Sequence, residues 1–266
     1  MDSLRIIILA AGKGERMGGT KPKVMFELHG KPLIDYVIAT ARKLIPERII
    51  VVVGFGKKQV IEHLKTYSGR ITDSPPASPD EHIPLQYVVQ EEQLGTGHAV
   101  RQAEPLFRDF NGTIVILNGD VPLISLQTVQ NLIEHHRTTG VATTVLSAEY
   151  TNPFGYGRII RNAAEKLERI VEEKDAAPHE RAIAEVNTGT YVFRSDSLFP
   201  YVAMIQRNNT QREYYLTDII EILHLHGLTV SAWKTPVPEE TYGINTPEQL
   251  QELNKLAHTL CISLKL

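Results

Sequence analysis

The sequence predicts an α/β fold built on a mixed, mostly parallel sheet. In the first half, apolar strand-like runs alternate with stretches of helical spacing, which is the pattern of βαβ units. From Val141 onward, several strand-like runs follow one another without helices between them, which indicates an antiparallel or mixed extension of the sheet. A chain of 266 residues, 42% hydrophobic and 22% charged, is long enough to bury such a core.

Each predicted strand of the first half is followed by a predicted helix. Strands are predicted at residues 4–9, 48–53, 85–90 and 113–117, and helices at 32–44, 57–67, 96–106 and 125–136. Thr96 is the expected N-cap of the third helix. A Pro-, Ser- and Asp-rich stretch at 73–84 predicts a loop before the third strand.

The second half predicts a lobe attached to this core. Strands are predicted at 141–148, 157–160, 166–171, 188–193 and 229–233, and helices at 195–206, 217–226 and 247–260. The sequence contains no visible internal repeat and no linker long enough to separate independent domains. We therefore expect one α/β core with a lobe contributed by the second half.

The composition argues against several classes of protein. A net charge of −3 shows no basic excess that would suggest a nucleic-acid partner. The single cysteine, Cys261, rules out an internal disulfide and fits a reducing compartment. The N-terminus carries Asp2 and only a short apolar run, so we predict neither a signal peptide nor a membrane span. The expectation is a soluble, cytoplasmic protein with no membrane partner.

A glycine-rich, cationic turn follows the first predicted strand. It reads Leu9-Ala10-Ala11-Gly12-Lys13-Gly14-Glu15-Arg16-Met17, with Pro22-Lys23 behind it. Glycines let backbone N–H groups approach a polyphosphate closely, and Arg16 and Lys23 add positive charge. The dinucleotide fingerprint does not fit, because Met17 stands at its third glycine position, and the P-loop spacing is also absent. The turn predicts a nucleoside triphosphate site; a plain strand-to-helix turn is the alternative.

A second turn, at residues 90–99, joins the third predicted strand to its helix. Ligands of open α/β sheets bind at the carboxyl ends of the strands. The Gln90 amide can donate and accept, which suits the edge of a pyrimidine base, while Gly95 and Thr96 offer a backbone contact and a hydroxyl. A capped helix after a flexible turn is the alternative. No acid–base partner of His98 is evident, so we expect this histidine to be structural.

A carboxylate stands at the end of the fourth predicted strand, in Asn118-Gly119-Asp120-Val121-Pro122. Mg²⁺ keeps most of its waters and is usually bound by one or two protein oxygens plus substrate phosphates. Asp120 is therefore a candidate Mg²⁺ ligand, and Asn245, just before the last helix, could complete the coordination with two phosphates. A plain Asx turn is the alternative.

Polar residues also mark strand ends in the second half. Gly157 opens one strand, Glu172 ends another and Asn187 opens the next. Convergent donors and acceptors suit sugar hydroxyls, although each residue alone could belong to an ordinary turn. Tyr214 and Tyr215 suit either a sugar pocket or packing. Since the sequence shows no metal-binding His or Cys motif and no nucleophile elbow, the expected chemistry is positioning plus electrostatics, as in nucleotidyl transfer.

In their order along the chain, these motifs resemble those of the sugar-nucleotide pyrophosphorylases. In particular they resemble the uridyltransferase domain of the bacterial bifunctional N-acetylglucosamine-1-phosphate uridyltransferase/glucosamine-1-phosphate acetyltransferase. The resemblance covers residues 4–245, nearly the whole chain. Its narrowest motifs are Gln-Leu-Gly-Thr-Gly-His-Ala at 93–99 and Tyr-Tyr-Leu-Thr-Asp at 214–218.

The resemblance implies a Rossmann-like nucleotidyltransferase fold with a sugar-binding lobe. It also implies Mg²⁺-dependent transfer of a uridylyl group from UTP to N-acetylglucosamine 1-phosphate, with release of pyrophosphate. Another sugar 1-phosphate or nucleotide (UDP-glucose or dTDP-sugar type), or a non-catalytic nucleotide-sugar sensor, are the alternatives. By motif, it assigns the nucleotide to Leu9, Ala10, Ala11, Gly12, Gly14, Gln90, Gly95, Thr96 and Gly119, the phosphates to Arg16 and Lys23, the sugar to Gly157, Glu172 and Asn187, and Mg²⁺ to Asp120 and Asn245.

The chain departs from the family at three places. The family's second half, a left-handed β-helix that carries acetyl transfer, has no counterpart, since only residues 246–266 follow the last motif. We expect a nucleotidyltransferase domain at 1–245, a C-terminal helix and tail at 246–266, and no acetyltransferase activity or β-helix trimer; the oligomeric state is open. Glu15 stands where the family often has Thr, and Asn118 stands where it commonly has Tyr.

Overall fold

The computed structural model describes residues 3–19, 21–68 and 83–264. The loop predicted at 73–84 lies, except for its last two residues, outside the described residues. The strands are β1 (Leu4–Ala10), β2 (Glu27–Leu28), β3 (Lys31–Pro32), β4 (Arg48–Val53), β5 (Leu85–Val89), β6 (Thr113–Asn118), β7 (Thr143–Glu149), β8 (Arg158–Arg161), β9 (Leu167–Val171), β10 (Glu185–Arg194) and β11 (Val230–Lys234). The helices are α1 (Leu33–Lys43), α2 (Lys57–Ser68), α3 (Thr96–Arg101), α4 (Leu126–Thr139), α5 (Pro178–Arg181), α6 (Phe199–Val202), α7 (Ile219–Leu225) and α8 (Pro247–Leu264).

Within these residues, nine strands form one mixed sheet in which β1 lies between β4 and β6. β1 pairs in parallel with β4 and β6, and β5 pairs in parallel with β4. β10 then pairs antiparallel with β6 and β7, and β11 closes that edge parallel to β7. β8 and β9 extend from β10, while β2 and β3 form a separate small hairpin. The predicted α/β class and the antiparallel extension in the second half are both confirmed.

Helices cover both faces of the sheet, which is why its central strands are almost continuously apolar. On one face, Ile6 and Ile8 of β1 pack with the buried side of α1 and α4. On the other, Ile7 packs with α3, α6 and α7, where Val100 and Leu223 are fully buried. The central strands therefore run through the core, and their carboxyl ends come to one edge of the sheet.

Two predicted helices are shorter than expected because each contains a proline. The helix predicted at 96–106 ends at Arg101, and a 3₁₀ turn with Pro105 in its first turn follows it. The helix predicted at 195–206 is a 3₁₀ turn followed by the four-residue α6, which has Pro200 in its first turn. Proline cannot donate a backbone hydrogen bond and clashes with the preceding turn, so it is tolerated in the first turn of a helix but not farther along it.

Candidate active site

A cleft of about 610 Å³ opens where β1, β5, β6 and β9 end. This volume lies in the range of small-molecule sites, and the position agrees with ligand binding at the carboxyl ends of strands. The cleft brings together most of the predicted site residues, which come from distant parts of the chain. Those that line it are Leu9, Ala10, Ala11, Gly12, Lys23, Gln90, Gly95, Thr96, Asp120, Gly157, Glu172, Asn187 and Asn245.

Three predicted site residues do not line the cleft. Gly14, at φ +63°, lies behind the turn, where an added Cβ would be 3.1 Å from the Cβ of Lys23. The backbone N–H of Gly119 donates to the carbonyl of Leu9 at 2.9 Å, so this glycine supports the end of β1. Arg16 is exposed, and its Nη1 lies 4.0 Å from where a Cβ on Gly155 would stand.

Lys23 lies between the two residues predicted to bind metal. Its Nζ donates to Oδ1 of Asn245 at 2.5 Å and forms an ion pair with Asp120. The three side chains are mostly buried or half-buried, and Lys23 and Asn245 are 222 positions apart in sequence. A carboxylate oxygen and an amide oxygen thus converge on one positive centre, and oxygen donors of this kind are the ligands that Mg²⁺ prefers.

The segment that carries Asn245 is attached directly to the end of β6. The Ile244 N–H donates to the Asp120 carbonyl at 3.0 Å, and the Gly243 N–H donates to the Tyr156 hydroxyl at 3.4 Å. The Asn245 N–H is capped by Oε1 of Gln249, from the first turn of α8, at 2.7 Å. These contacts hold the two oxygen donors next to each other.

Gln90 is a deeply buried polar residue of the cleft, with 3% of its surface exposed. Its Nε2 donates to the backbone carbonyl of Gly95 at 3.0 Å and lies 3.1 Å from Nδ1 of His98. Its backbone N–H continues the sheet by donating to the carbonyl of Val53 at 2.8 Å. Gln90 is therefore held both by its backbone and by its side-chain nitrogen.

His98 packs within the fold, as predicted, and does not line the cleft. Its ring stacks on Tyr214 at a centroid distance of 6.0 Å. Burial lowers the pKa of the His98 ring, which is therefore neutral near pH 7. Neither Tyr214 nor Tyr215 lines this cleft; Tyr214 stacks on His98, and Tyr215 is buried.

The loop before α3 is docked on the segment that contains these tyrosines. The Gly97 N–H donates to the Tyr214 carbonyl at 2.7 Å, and the Tyr214 N–H donates to the Leu94 carbonyl at 2.8 Å. Gly95 has φ +107°, and a Cβ at this position would lie 2.6 Å from the Tyr214 carbonyl oxygen. Only glycine satisfies both the conformation and the close approach.

The prediction that Thr96 is the N-cap of α3 was wrong. Gly95 occupies the N-cap position, and no side chain caps the helix there. Thr96 is the first helical residue, and its Oγ1 accepts a hydrogen bond from the Leu216 backbone N–H at 3.0 Å. The hydroxyl satisfies a donor of a segment 120 positions away, a tertiary contact that local sequence does not reveal.

On the opposite wall, the three residues assigned to the sugar lie together. The Asn187 N–H donates to the Gly157 carbonyl at 2.8 Å, and a Cβ on Gly157 would lie 3.4 Å from Oε2 of Glu172. Thr217 donates to Oε1 of Glu172 at 3.0 Å. Burial raises the pKa of the Glu172 carboxyl, and the nearby carboxylate of Asp175 raises it further.

Asn118 is half-buried at the end of β6 and lines the same wall. Its Nδ2 donates to the carbonyl of Thr188 at 3.3 Å. Gly189, at φ +77°, leaves room for this amide, because a Cβ there would overlap Nδ2 of Asn118. Asn118 thus joins the ends of β6 and β10 beside Asn187.

Comparison with known protein families identifies the family of this chain. Residues 6–185, more than half of the chain, match the sequence model of the MobA-like NTP transferase domain. The chain belongs to this family. An NTP transferase domain is what the glycine-rich turn and the strand-end polar residues predicted.

Curated relatives of this NTP transferase chain are bacterial. Two named Bifunctional protein GlmU, from Geobacillus sp. (strain WCH70) and Enterococcus faecalis, are 44% and 40% identical over 94% and 97% of the chain. The chain spans about half the length of these relatives, 51% and 53% respectively. They confirm the resemblance predicted from the ordered motifs.

Solved structures show that the NTP transferase fold was predicted correctly. A UDP-glucose pyrophosphorylase complexed with UDP-glucose superposes with a TM-score of 0.74 at 19% identity, covering 97% of this chain and 99% of that one. A putative glucose-1-phosphate thymidylyltransferase from Bacillus anthracis gives 0.70 at 20% identity, covering 96% and 95%. Among the described residues, no helix has the length and apolarity needed to cross a membrane.

Several residues that line the NTP transferase cleft were not singled out from the sequence. Lys13 lines it directly, whereas the predicted Arg16 does not. Its position between Gly12 and Gly14 was the available signal, since the tip of a glycine turn lies closest to a ligand. Gln93, Tyr156 and Gly189 also line the cleft, each within or beside a quoted motif.

Gly95→Ala tests the docking of the loop before α3. We expect a loss of about 1–2 kcal/mol in unfolding free energy from the positive φ, and a further loss from the collision with Tyr214. Gly140→Ala is the matched control, because Gly140 has φ +63° and nothing within 4 Å of an added Cβ. Chemical denaturation measures both. Equal losses in the two variants would contradict the close approach.

Proposed function

We propose that this chain transfers a uridylyl group from UTP to N-acetylglucosamine 1-phosphate, giving UDP-N-acetylglucosamine and pyrophosphate. One observation carries the proposal: a single cleft holds the glycine-rich cationic turn, the buried Gln90 amide, the Asp120–Asn245 pair and the Glu172–Asn187 pair. These groups match a triphosphate, a base, a divalent cation and a sugar. The match to NTP transferases and the resemblance to the uridyltransferases support this pair of substrates.

The reaction needs no nucleophile from the protein. A phosphate oxygen of the sugar 1-phosphate is already an anion, and it forms a new bond to the α-phosphorus of UTP. The bond from that phosphorus to the pyrophosphate oxygen breaks, and pyrophosphate takes the electron pair. The protein must hold the two oxygens in line and neutralise the charge that develops on the phosphates.

The negative charge of the phosphates would be neutralised by groups of the glycine-rich turn and by Lys23. Gly12 and Lys13 of the turn line the cleft beside the end of β1. Lys23 supplies an ammonium group within the Asp120–Asn245 cluster. Asp120 and Asn245 would hold Mg²⁺, which when bound would neutralise phosphate charge. Arg16, at the exposed side of the turn, would reach the triphosphate from there.

The two walls of the cleft divide recognition between them. On one wall, Gln90, Gly95 and Thr96 would contact uracil. On the other, the Glu172 carboxylate and the Asn187 amide would accept and donate hydrogen bonds to sugar hydroxyls. Gly157 keeps the wall low enough for the sugar to reach Glu172, because a side chain there would stand against that carboxylate.

Pyrophosphate release tests the proposal directly. The purified protein is incubated with Mg²⁺ and a panel of nucleoside triphosphates and sugar 1-phosphates, including glucose 1-phosphate and dTTP. UTP with N-acetylglucosamine 1-phosphate is expected to give the highest kcat/KM. A higher value for another pair would replace the substrates, and UDP-sugar binding without pyrophosphate from any pair would favour a sensor.

Glu172→Gln tests the sugar wall. We expect the KM for the sugar 1-phosphate to rise by about 10- to 100-fold, the typical value of a hydrogen bond to a charged group, while the KM for UTP changes little. Glu168→Gln, on the exposed side of the same strand β9, is the control. Steady-state kinetics with each substrate varied in turn measures both. An equal rise in both KM values would argue against a sugar-specific role.

A further inference from the structure

The buried amide of Gln90 has a defined orientation. Its nitrogen lies 3.0 Å from the backbone carbonyl of Gly95, and a carbonyl only accepts hydrogen bonds, so this atom must be the NH₂ group. The same nitrogen lies 3.1 Å from Nδ1 of His98, which receives its second hydrogen. With both hydrogens used inside the wall, Oε1 is the atom of the amide left for a ligand in the cleft.

This arrangement requires His98 to accept a hydrogen bond at Nδ1. A neutral imidazole has one acceptor nitrogen and one donor nitrogen, whereas a protonated ring has two donors. Burial keeps the His98 ring neutral by lowering its pKa, and the positive charges of Arg101 and Arg207 act in the same direction. Glu92 acts in the opposite direction and raises the pKa of His98, through its backbone carbonyl and its negative charge.

The Gln102 amide nitrogen also lies near the His98 ring, but it has a second acceptor. Its Nε2 lies 3.2 Å from Nε2 of His98, yet it donates to the His98 backbone carbonyl at 3.0 Å. Gln102 is also less buried than Gln90. A buried donor without a partner costs more folding free energy than a donor near solvent. The acceptor nitrogen of the His98 ring is therefore the one that faces Gln90. The proton of the neutral ring is therefore on Nε2.

We propose that His98 is a positioning residue for base selection, because by accepting from Gln90 it holds the Gln90 oxygen toward the base. The site then takes a pyrimidine whose N3 carries a hydrogen, as uracil does. It disfavours cytosine, whose N3 is an acceptor and would face the Gln90 oxygen. The inference rests on the proposed function, since it assumes that Gln90 contacts the base.

The test compares UTP with CTP as the nucleotide, with N-acetylglucosamine 1-phosphate held constant. In His98→Ala, the buried amide of Gln90 loses one of its two acceptors and is free to turn. We expect kcat/KM for UTP to fall about tenfold, mainly through KM, with little change for CTP, so the UTP/CTP ratio falls about tenfold. A purely structural role would lower both values together and leave the ratio unchanged.

Three further substitutions test which ring nitrogen of His98 is the acceptor. The amide oxygen of an asparagine side chain can replace Nδ1 of histidine, whereas that of glutamine reaches the position of Nε2. His98→Asn is therefore expected to restore the UTP/CTP ratio, and His98→Gln is not. Gln102→Ala removes the contact at Nε2 and the hydrogen bond to the His98 backbone carbonyl but leaves Nδ1 in place, so it is expected to keep the wild-type ratio. Equal ratios in His98→Asn and His98→Gln would overturn the inference, even if His98→Ala does not fold.

A measurement without substrate separates this inference from the proposed function. The ¹⁵N chemical shifts of His98 in the free protein are expected to show an unprotonated Nδ1 and a protonated Nε2; the opposite tautomer would overturn the inference. A wild-type protein that uses CTP as well as UTP would contradict the proposed base selection together with this inference. Wild-type selectivity that survives in His98→Ala would overturn this inference alone.

Discussion

Asp120→Ala is expected to lower kcat by about 10³-fold, the largest effect of any single substitution in the cleft. Asp120 is the carboxylate of the cluster formed with Lys23 and Asn245. A carboxylate supplies the charge that attracts a divalent cation, and the neutral Asn245 amide cannot replace it. The loss should come with weaker cation binding, and raising Mg²⁺ should restore only part of the rate.

Pyrophosphate release over a range of Mg²⁺ concentrations measures this effect. Asp109→Ala is the control, since Asp109 is an exposed aspartate that does not line the cleft. Manganese binding, followed by electron paramagnetic resonance without nucleotide, gives an independent readout. An Asp120→Ala protein with the wild-type rate and the wild-type dependence on Mg²⁺ would show that the cation is held elsewhere.

Lys23→Ala is expected to have the second largest effect on kcat, but its effect on cation binding should differ from that of Asp120→Ala. We expect kcat to fall by about 10²–10³-fold, as for loss of one preorganised charge at a reacting phosphate. In the free protein, however, the lysine ammonium contacts the same two oxygens that would bind the cation. Removing it should leave manganese affinity equal to or higher than that of the wild type.

The opposite effects of the two variants on manganese affinity separate the two roles. Lys58→Ala, a change at an exposed lysine on α2, is the control for loss of one positive charge. In the double variant, the activation free energy should rise by less than the sum of the rises in the two single variants, because the side chains are in contact. A fall in manganese affinity for Lys23→Ala would mean that the lysine organises the ligands instead of competing for them.

The strand ends and the site motifs were predictable from sequence for a local reason. In a parallel sheet, the polar residue that follows each apolar strand comes to the same edge as its neighbours, whatever the details of packing. Gln90 and Asp120 are such residues, and both line the cleft. The glycine-rich turn after β1 follows the same rule, although its cationic member in the cleft is Lys13 rather than Arg16.

Two features of the site could not be predicted because they depend on contacts between distant segments. Nothing around Thr96 indicates that its hydroxyl binds the Leu216 N–H, so the capping rule gave the wrong role. The pairing of Lys23 with Asn245 spans 222 positions and depends on the attachment of the Gly243–Asn245 segment to the end of β6. Such contacts are decided by packing, not by local preference.

By itself, the sequence determined the fold class, the edge of the sheet that carries the candidate site, and the family, because periodicity and strand-end motifs are local properties. Only the tertiary structure decided how the cleft is organised: Lys23 between Asp120 and Asn245, and the Gln90 amide oriented by Gly95 and His98. The orientation of a side-chain amide depends on which donors and acceptors lie within about 3 Å of it. Which groups come that close is set by how distant segments pack, and no single position of the sequence predicts it.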